Sequence, residues 1–205
     1  MIISHKHKFI FIKTRKTAGS TLEALLYPYL DQETDICTGS PRDGTPRLNS
    51  PTDKGHSTYM EAMRYAGNPD DYFIFTVERN PWDKMVSAYW WHKNTKPEWD
   101  WTNSFEAYMS CPFIPKDWNH YTLQGKNKTN RIFRYEDMGG MYDFLNDRFG
   151  FNITEDQWKT TRMKGGIRKT GHYSEMHTPY TRECVAKLFK EEIYMLGYEY
   201  KEKSL

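Results

Sequence analysis

The 205-residue chain has no apolar run near the roughly 18 residues that a membrane-crossing helix needs, and its mean hydropathy is −0.88. A transmembrane protein is therefore excluded as a reading. Its first seven residues, Met1-Ile2-Ile3-Ser4-His5-Lys6-His7, carry basic groups but lack a following apolar segment with a small-residue cleavage site. No secretory signal is expected, and the composition predicts a cytoplasmic protein. Cysteine is scarce: Cys37, Cys111 and Cys184 are odd in number and more than seventy residues apart. That spacing excludes a disulfide framework or a zinc knuckle and predicts reduced thiols. Nor is there a surplus of one charge, since 29 basic against 27 acidic residues leave only +2. General attraction to nucleic acid or acidic membranes is excluded, so any anion site must come from local clustering. Internal repeats are absent.

Aromatic residues are abundant, at 16% with seven Trp and fifteen Tyr. Disorder is thereby argued against, and the rings offer surfaces that stack on flat or sugar-like ligands, with plain core packing as the alternative. The length fits one domain over residues 1–205.

Lys8-Phe9-Ile10-Phe11-Ile12-Lys13 is the short continuous apolar run of a strand buried on both faces of a parallel sheet. After the turn Thr14-Arg15-Lys16-Thr17-Ala18-Gly19-Ser20-Thr21, residues Leu22, Leu25, Leu26 and Tyr29 fall on one helical face. Residues 38–55 hold three Pro and three Gly and read as a long mobile loop. Thr58-Tyr59-Met60-Glu61 predicts a capping box and a helix ending near Ala66. A second buried strand, Tyr72 to Val77, leads into Glu78-Arg79-Asn80-Pro81, where Asn80 suits the N-cap and Pro81 the first helical position. Residues 91–129 form a Trp-rich insertion of weak periodicity. A third strand is expected over Arg131 to Tyr135, then helices from about Met141 to Phe149 and from about Thr181 to Met195, the latter closed by Gly197.

The first strand-turn-helix concentrates Lys13, Arg15 and Lys16 with the small residues Ala18, Gly19 and Ser20 at a helix N-terminus. Main-chain N–H groups and the positive dipole end make an anion cradle there, to which Lys16 adds a point charge. The plain alternative is that Ser20 to Glu23 merely caps a helix. A nucleoside-triphosphate loop needs its Lys directly after a second Gly; Lys16 precedes Gly19, so that type is disfavoured. In the second turn, the seven helical steps from Asn80 to Ser87 return to nearly the same azimuth. Ser87 can thus assist Arg79, at a strand end, in holding one anion, unless Arg79 is only an ion-pair partner of Glu78 or Asp83.

Two anion cradles separated by something stackable suit a nucleotide with phosphates at both ends. At these residues the chain resembles the sulfotransferases that use 3′-phosphoadenosine 5′-phosphosulfate (PAPS), and most closely their carbohydrate-type members. Lys16-Thr17-Ala18-Gly19-Ser20-Thr21 is similar to that family's 5′-phosphosulfate loop. The run from Val77 through Arg79 and Ser87 to Tyr89 is similar to its 3′-phosphate motif. Arg134-Tyr135-Glu136-Asp137-Met138 and Gly197-Tyr198-Glu199-Tyr200 also sit where the family has such segments. Arg15 departs from a frequent Pro, and Glu78 from a frequent apolar residue.

The resemblance implies an α/β fold of three layers with a central parallel sheet and a P-loop-like turn. It implies that PAPS is the donor, with adenosine 3′,5′-bisphosphate as product, and that no metal is required. Arg15, Lys16, Thr17, Ala18, Gly19, Ser20, Thr21, Arg79 and Ser87 would bind the nucleotide, and Arg168 and Lys169, a late Arg-Lys pair before Thr170-Gly171, would close over its 3′-phosphate. Lys16 would also be catalytic, together with His56, because Gly55-His56 matches a Gly-His segment whose His is the base in the carbohydrate enzymes. A helix N-terminus beside His56 favours the neutral imidazole. The acceptor is expected to bear a hydroxyl, with a sugar among the candidates, and residues 38–55 and 91–118 are expected to border it. Two other readings stay open: an atypical phosphotransferase, and a non-catalytic nucleotide-binding module.

Overall fold

The structure, a computed structural model, describes residues 1–39, 44–161, 163 and 165–203. In chain order its elements are β1 (Ile2–Ser4), β2 (Phe9–Ile12), α1 (Gly19–Leu26), β3 (Ile36–Thr38), β4 (Arg47–Leu48), α2 (Tyr59–Ala66), β5 (Phe73–Glu78), α3 (Pro81–Thr95), α4 (Trp118–Tyr121), β6 (Thr122–Leu123), β7 (Lys126–Asn127), β8 (Arg131–Arg134), α5 (Met138–Phe149), α6 (Glu155–Thr160), α7 (Pro179–Leu188) and α8 (Lys190–Leu196). Contacts group them into two units, Met1–Glu78 with Asn119–Met163, and Arg79–Trp118 with Lys164–Leu205.

The first unit holds a six-stranded sheet in the order β4-β3-β1-β2-β5-β8. The apolar runs expected as buried parallel strands are its centre: β2 pairs with β5 and β5 with β8 in parallel, with Ile12 beside Thr76 and Glu78 beside Arg134. Round this parallel centre the sheet is mixed, because β1, β3 and β4 add on antiparallel. A tight turn, Ser4 to Phe9, joins β1 to β2 and dictates that direction. β3 and β4 also show that part of residues 38–55 is strand, with Thr38 paired to Arg47; residues 40–43 of that expected loop lie outside the described residues.

Side chains alternate across each strand. Phe9 and Phe11 of β2, Phe75 and Val77 of β5 and Phe133 of β8 form one core with Leu22, Leu25 and Leu26 of α1 and Met141 and Leu145 of α5. Each such side chain contributes about 1.5–3 kcal/mol on burial. Ile10, Ile12 and Ile74 point the other way, and α2 packs on β2 with Ala62 buried. The sheet thus has helices on both faces.

The second unit is built round α3. Trp82, Met85, Val86 and Tyr89 recur at helical spacing and pack with Phe105, Tyr108, Val185 and Phe189. A fully buried ion pair, Lys84 Nζ to Asp117 at 2.8 Å, lies in the same unit. The single helix expected from Thr181 to Met195 is two, because the chain leaves helical geometry at Phe189 (φ −121°, ψ 29°), whose ring is fully buried. Gly197 closes α8 in the left-handed conformation, as its sequence position predicts.

Candidate active site

The turn between β2 and α1 is held from below. The Thr14 hydroxyl donates to the Val77 carbonyl of β5 and lies 2.9 Å from the Thr17 hydroxyl, which is 3.1 Å from the Thr14 carbonyl. Both threonines are buried, so the Thr17 side chain supports the turn. Lys16 (φ 62°) and Ala18 (φ 60°) are left-handed without being glycine, while Thr17 between them is not. Such conformations cost roughly 1–2 kcal/mol per residue. Alternation of left-handed with ordinary residues is the backbone pattern found in anion-binding nests.

Ala18 is also the N-cap of α1, and no side chain caps that helix or puts a carboxylate in its first turn. A helix N-terminus of this kind favours negative charge nearby. The plain alternative, a cap built from Ser20 to Glu23, does not form, because Ser20 lies inside the helix. Glu23 instead accepts from Lys13 Nζ at 2.7 Å and from the Met1 amine at 2.8 Å. Burial works against its ionisation, but the Met1 amine and Lys13 outweigh it and hold the carboxyl below the usual range. Lys13 therefore belongs to the core and not to the cradle. A Cβ on Gly19 would come within 2.6 Å of Lys13 Cγ, so the small residue there lets the Lys13 chain pass. Thr21 is buried, and its hydroxyl accepts from the Met163 N–H at 3.0 Å. Arg15 and Lys16 are half-buried.

His56 lies against the same strand end, with Nδ1 3.1 Å from the Lys13 carbonyl. A carbonyl only accepts, so Nδ1 carries the hydrogen of this contact. Two residues on, Thr58 closes the predicted capping box: its hydroxyl accepts from the Glu61 N–H at 3.2 Å, and Glu61 accepts from the Thr58 N–H at 2.8 Å. The segment carrying His56 is thus fixed at both ends.

In the second unit Asn80 caps α3, accepting from the N–H groups of Trp82 (3.1 Å) and Asp83 (3.4 Å) behind Pro81. Arg79 donates to Asp83 through Nε and Nη2, each at 2.6 Å. The other Asp83 oxygen accepts from Arg168 Nη1 at 2.5 Å. Burial opposes ionisation of Asp83, yet Arg79 and Arg168 hold its carboxyl below the ordinary aspartate range. The ion pair entertained for Arg79 is therefore made, with Asp83, and the structure brings Arg168 to the same carboxylate. Ser87 follows Asp83 by one helical turn on the same face, half-buried, while Lys169 is exposed. That Asp83 meets Arg168, 85 positions further along the chain, had no sequence signal; only its i+4 spacing from Arg79 did.

Much of the Trp-rich stretch packs within its own unit. Phe105 and Tyr108 are core residues, and Trp99 stacks on Phe113 with centroids 5.0 Å apart.

Among known proteins, the model of the sulfotransferase family matches residues 1–161, a span that takes in Lys16, His56, Arg79 and Ser87 but stops short of Arg168. No curated protein and no solved structure matches the chain.

Proposed function

The chain belongs to the sulfotransferase family, and from that premise we propose that it moves a sulfuryl group from PAPS to a hydroxyl of a small acceptor, by in-line displacement in the cytoplasm. The observation that carries the reading is the N-terminus of α1 behind left-handed Lys16 and Ala18, which among the described residues has no side-chain cap and no carboxylate in its first turn. That fits a donor whose 5′ end is a phosphosulfate.

The donor would supply the activated sulfuryl group; the chain's residues do the rest. Main-chain groups from Arg15 to Thr21 hold the 5′ end, and Lys16 places positive charge against the oxygen on which negative charge grows as the bond to sulfur breaks. His56 takes the proton of the acceptor hydroxyl on Nε2. Arg79 and Ser87 hold the 3′-phosphate, with Arg168 and Lys169 beside it. Sulfuryl transfer, like phosphoryl transfer, gains most from positioning and from charge placed where charge develops. A carbohydrate acceptor is favoured by the Gly55-His56 match, with the segments 38–55 and 91–118 bordering it.

Titration with adenosine 3′,5′-bisphosphate, adenosine 5′-phosphate and ATP with magnesium tests the donor. The bisphosphate should bind tightest, and Arg79→Ala and Ser87→Ala should weaken it far more than adenosine 5′-phosphate, since a charge-assisted hydrogen bond contributes roughly 1.5–3 kcal/mol. Equal losses for both adenosine ligands would reject the 3′-phosphate assignment, and preference for ATP with magnesium would favour a phosphotransferase. Transfer of labelled sulfate to a panel of hydroxylated acceptors separates an enzyme from a binding module.

A further inference from the structure

Resting on the reading of Arg79 and Ser87 as the 3′-phosphate site, we propose that Asp83 is a positioning residue for that phosphate: it latches the segment Arg168 to Gly171 onto α3, so that two guanidiniums are delivered to one anion.

Two guanidiniums repel each other, more strongly where they are shielded from water. Here the side chains of Arg79, Asp83 and Arg168 are only 10%, 17% and 23% exposed. Asp83 supplies the charge that lets the two cations converge, one on each carboxylate oxygen. The trio keeps a net charge of +1, so it still attracts a phosphate.

Arg168 is also the centre of its own segment. Its Nε donates to the Thr170 carbonyl at 3.0 Å and its Nη2 to the Gly171 carbonyl at 2.6 Å. The backbone of 168–171 is thereby wrapped round the guanidinium whose Nη1 is bound to Asp83. A second pin lies further along α3, where Trp90 Nε1 donates to the Thr170 hydroxyl at 3.3 Å. Asp83, Ser87 and Trp90 are spaced i, i+4 and i+7, one face of the helix. The segment is therefore tied to α3 on either side of Ser87, along the row that carries the phosphate-binding groups.

The sign of one substitution decides the matter. If Asp83 were only a negative charge near the phosphate, or a stand-in that the phosphate must displace, Asp83→Asn would tighten nucleotide binding. As a latch, its loss frees the Arg168 segment, and adenosine 3′,5′-bisphosphate should bind about tenfold or more weakly. Adenosine 5′-phosphate should change less than about twofold, because it makes no contact that the latch serves. Asp83→Glu should restore part of the loss. In the Asp83→Asn background, Arg168→Met should add little, since Asp83 acts through Arg168.

Hydrogen exchange at 168–171 should rise in Asp83→Asn while the main-chain amides inside α3 stay protected. Trp90→Phe, which keeps an aromatic ring and removes the Nε1–H of the second pin, should give a smaller loss of the same kind, and it stands as the test if Asp83→Asn does not fold. Tighter or unchanged bisphosphate binding in Asp83→Asn, or in Trp90→Phe where that is the test, would overturn the latch. Arg79→Ala serves as the control for the underlying reading. If it weakens both adenosine ligands equally, the 3′-phosphate site itself is wrong; if it is selective and Asp83→Asn is not, only the latch fails.

Discussion

A histidine acts as a base through whichever nitrogen its surroundings leave without a proton. For His56, the base proposed above, the Lys13 carbonyl accepts the Nδ1 hydrogen, and it also sets the ring at the strand end that opens into the Lys16 turn. His56→Ala should lower turnover by about 10²- to 10⁴-fold, the usual share of general-base catalysis, with bisphosphate affinity almost unchanged. Single-turnover transfer over pH 6 to 9 checks this. Wild-type rates throughout would move the base elsewhere, with Glu78, buried at the end of β5, next to be tested. Candidates of this kind stand out in a sequence because each belongs to a short local pattern: a Gly-His pair, a Lys before small residues, an Arg at a strand end. The Asp83–Arg168 pair does not, since nothing in a loop of 168–171 says which helix face it meets.

Helices carry the same lesson one level up. α2 and α3 are visible from their caps, Thr58 with Glu61 and Asn80 with Pro81, because capping chemistry is written in adjacent residues. The division of the last helix at Phe189 is tertiary, and local periodicity runs straight through it. α8 on its far side carries Glu192, buried near Lys84 and Asp117. Burial raises its carboxyl above the usual glutamate range, Glu191 and Asp117 push the same way, and Lys84 opposes them. The folded state therefore keeps the Glu192 proton to higher pH than the unfolded chain does. Its contribution is fully present below about pH 4.3, the ordinary glutamate value, and is lost as pH rises through the raised one. Glu192→Gln should match the parent in urea midpoint near pH 4 and exceed it at pH 8. A variant less stable than the parent at pH 8 would show that the carboxylate is needed charged.

For the whole molecule, the parallel centre of the sheet was readable because β2 and β5 are apolar runs of four to six residues, the second leading into a helix marked by its Asn80 cap. The antiparallel half was not, since β1, β3 and β4 have two or three residues each, too few for a period, and β4 sits in a stretch rich in Pro and Gly. The division into two units was hidden for another reason: each is assembled from separated stretches of chain, with no composition shift at 78, 118 or 163 to mark them. The strand order carries a further consequence, for solubility. An open sheet ends in unpaired backbone that can recruit another chain, and both ends of this one are blunted. One end is the two-residue β4. The other is β8, Arg131–Arg134, whose first and last residues are exposed arginines, with Arg131 held over the Phe133 and Phe144 rings. Charge at both ends of so short a strand opposes edge-to-edge stacking of copies. Replacing both, Arg131→Val with Arg134→Val, leaves Val-Ile-Phe-Val on the rim, and light scattering should then climb with protein concentration and incubation time while the parent stays clear.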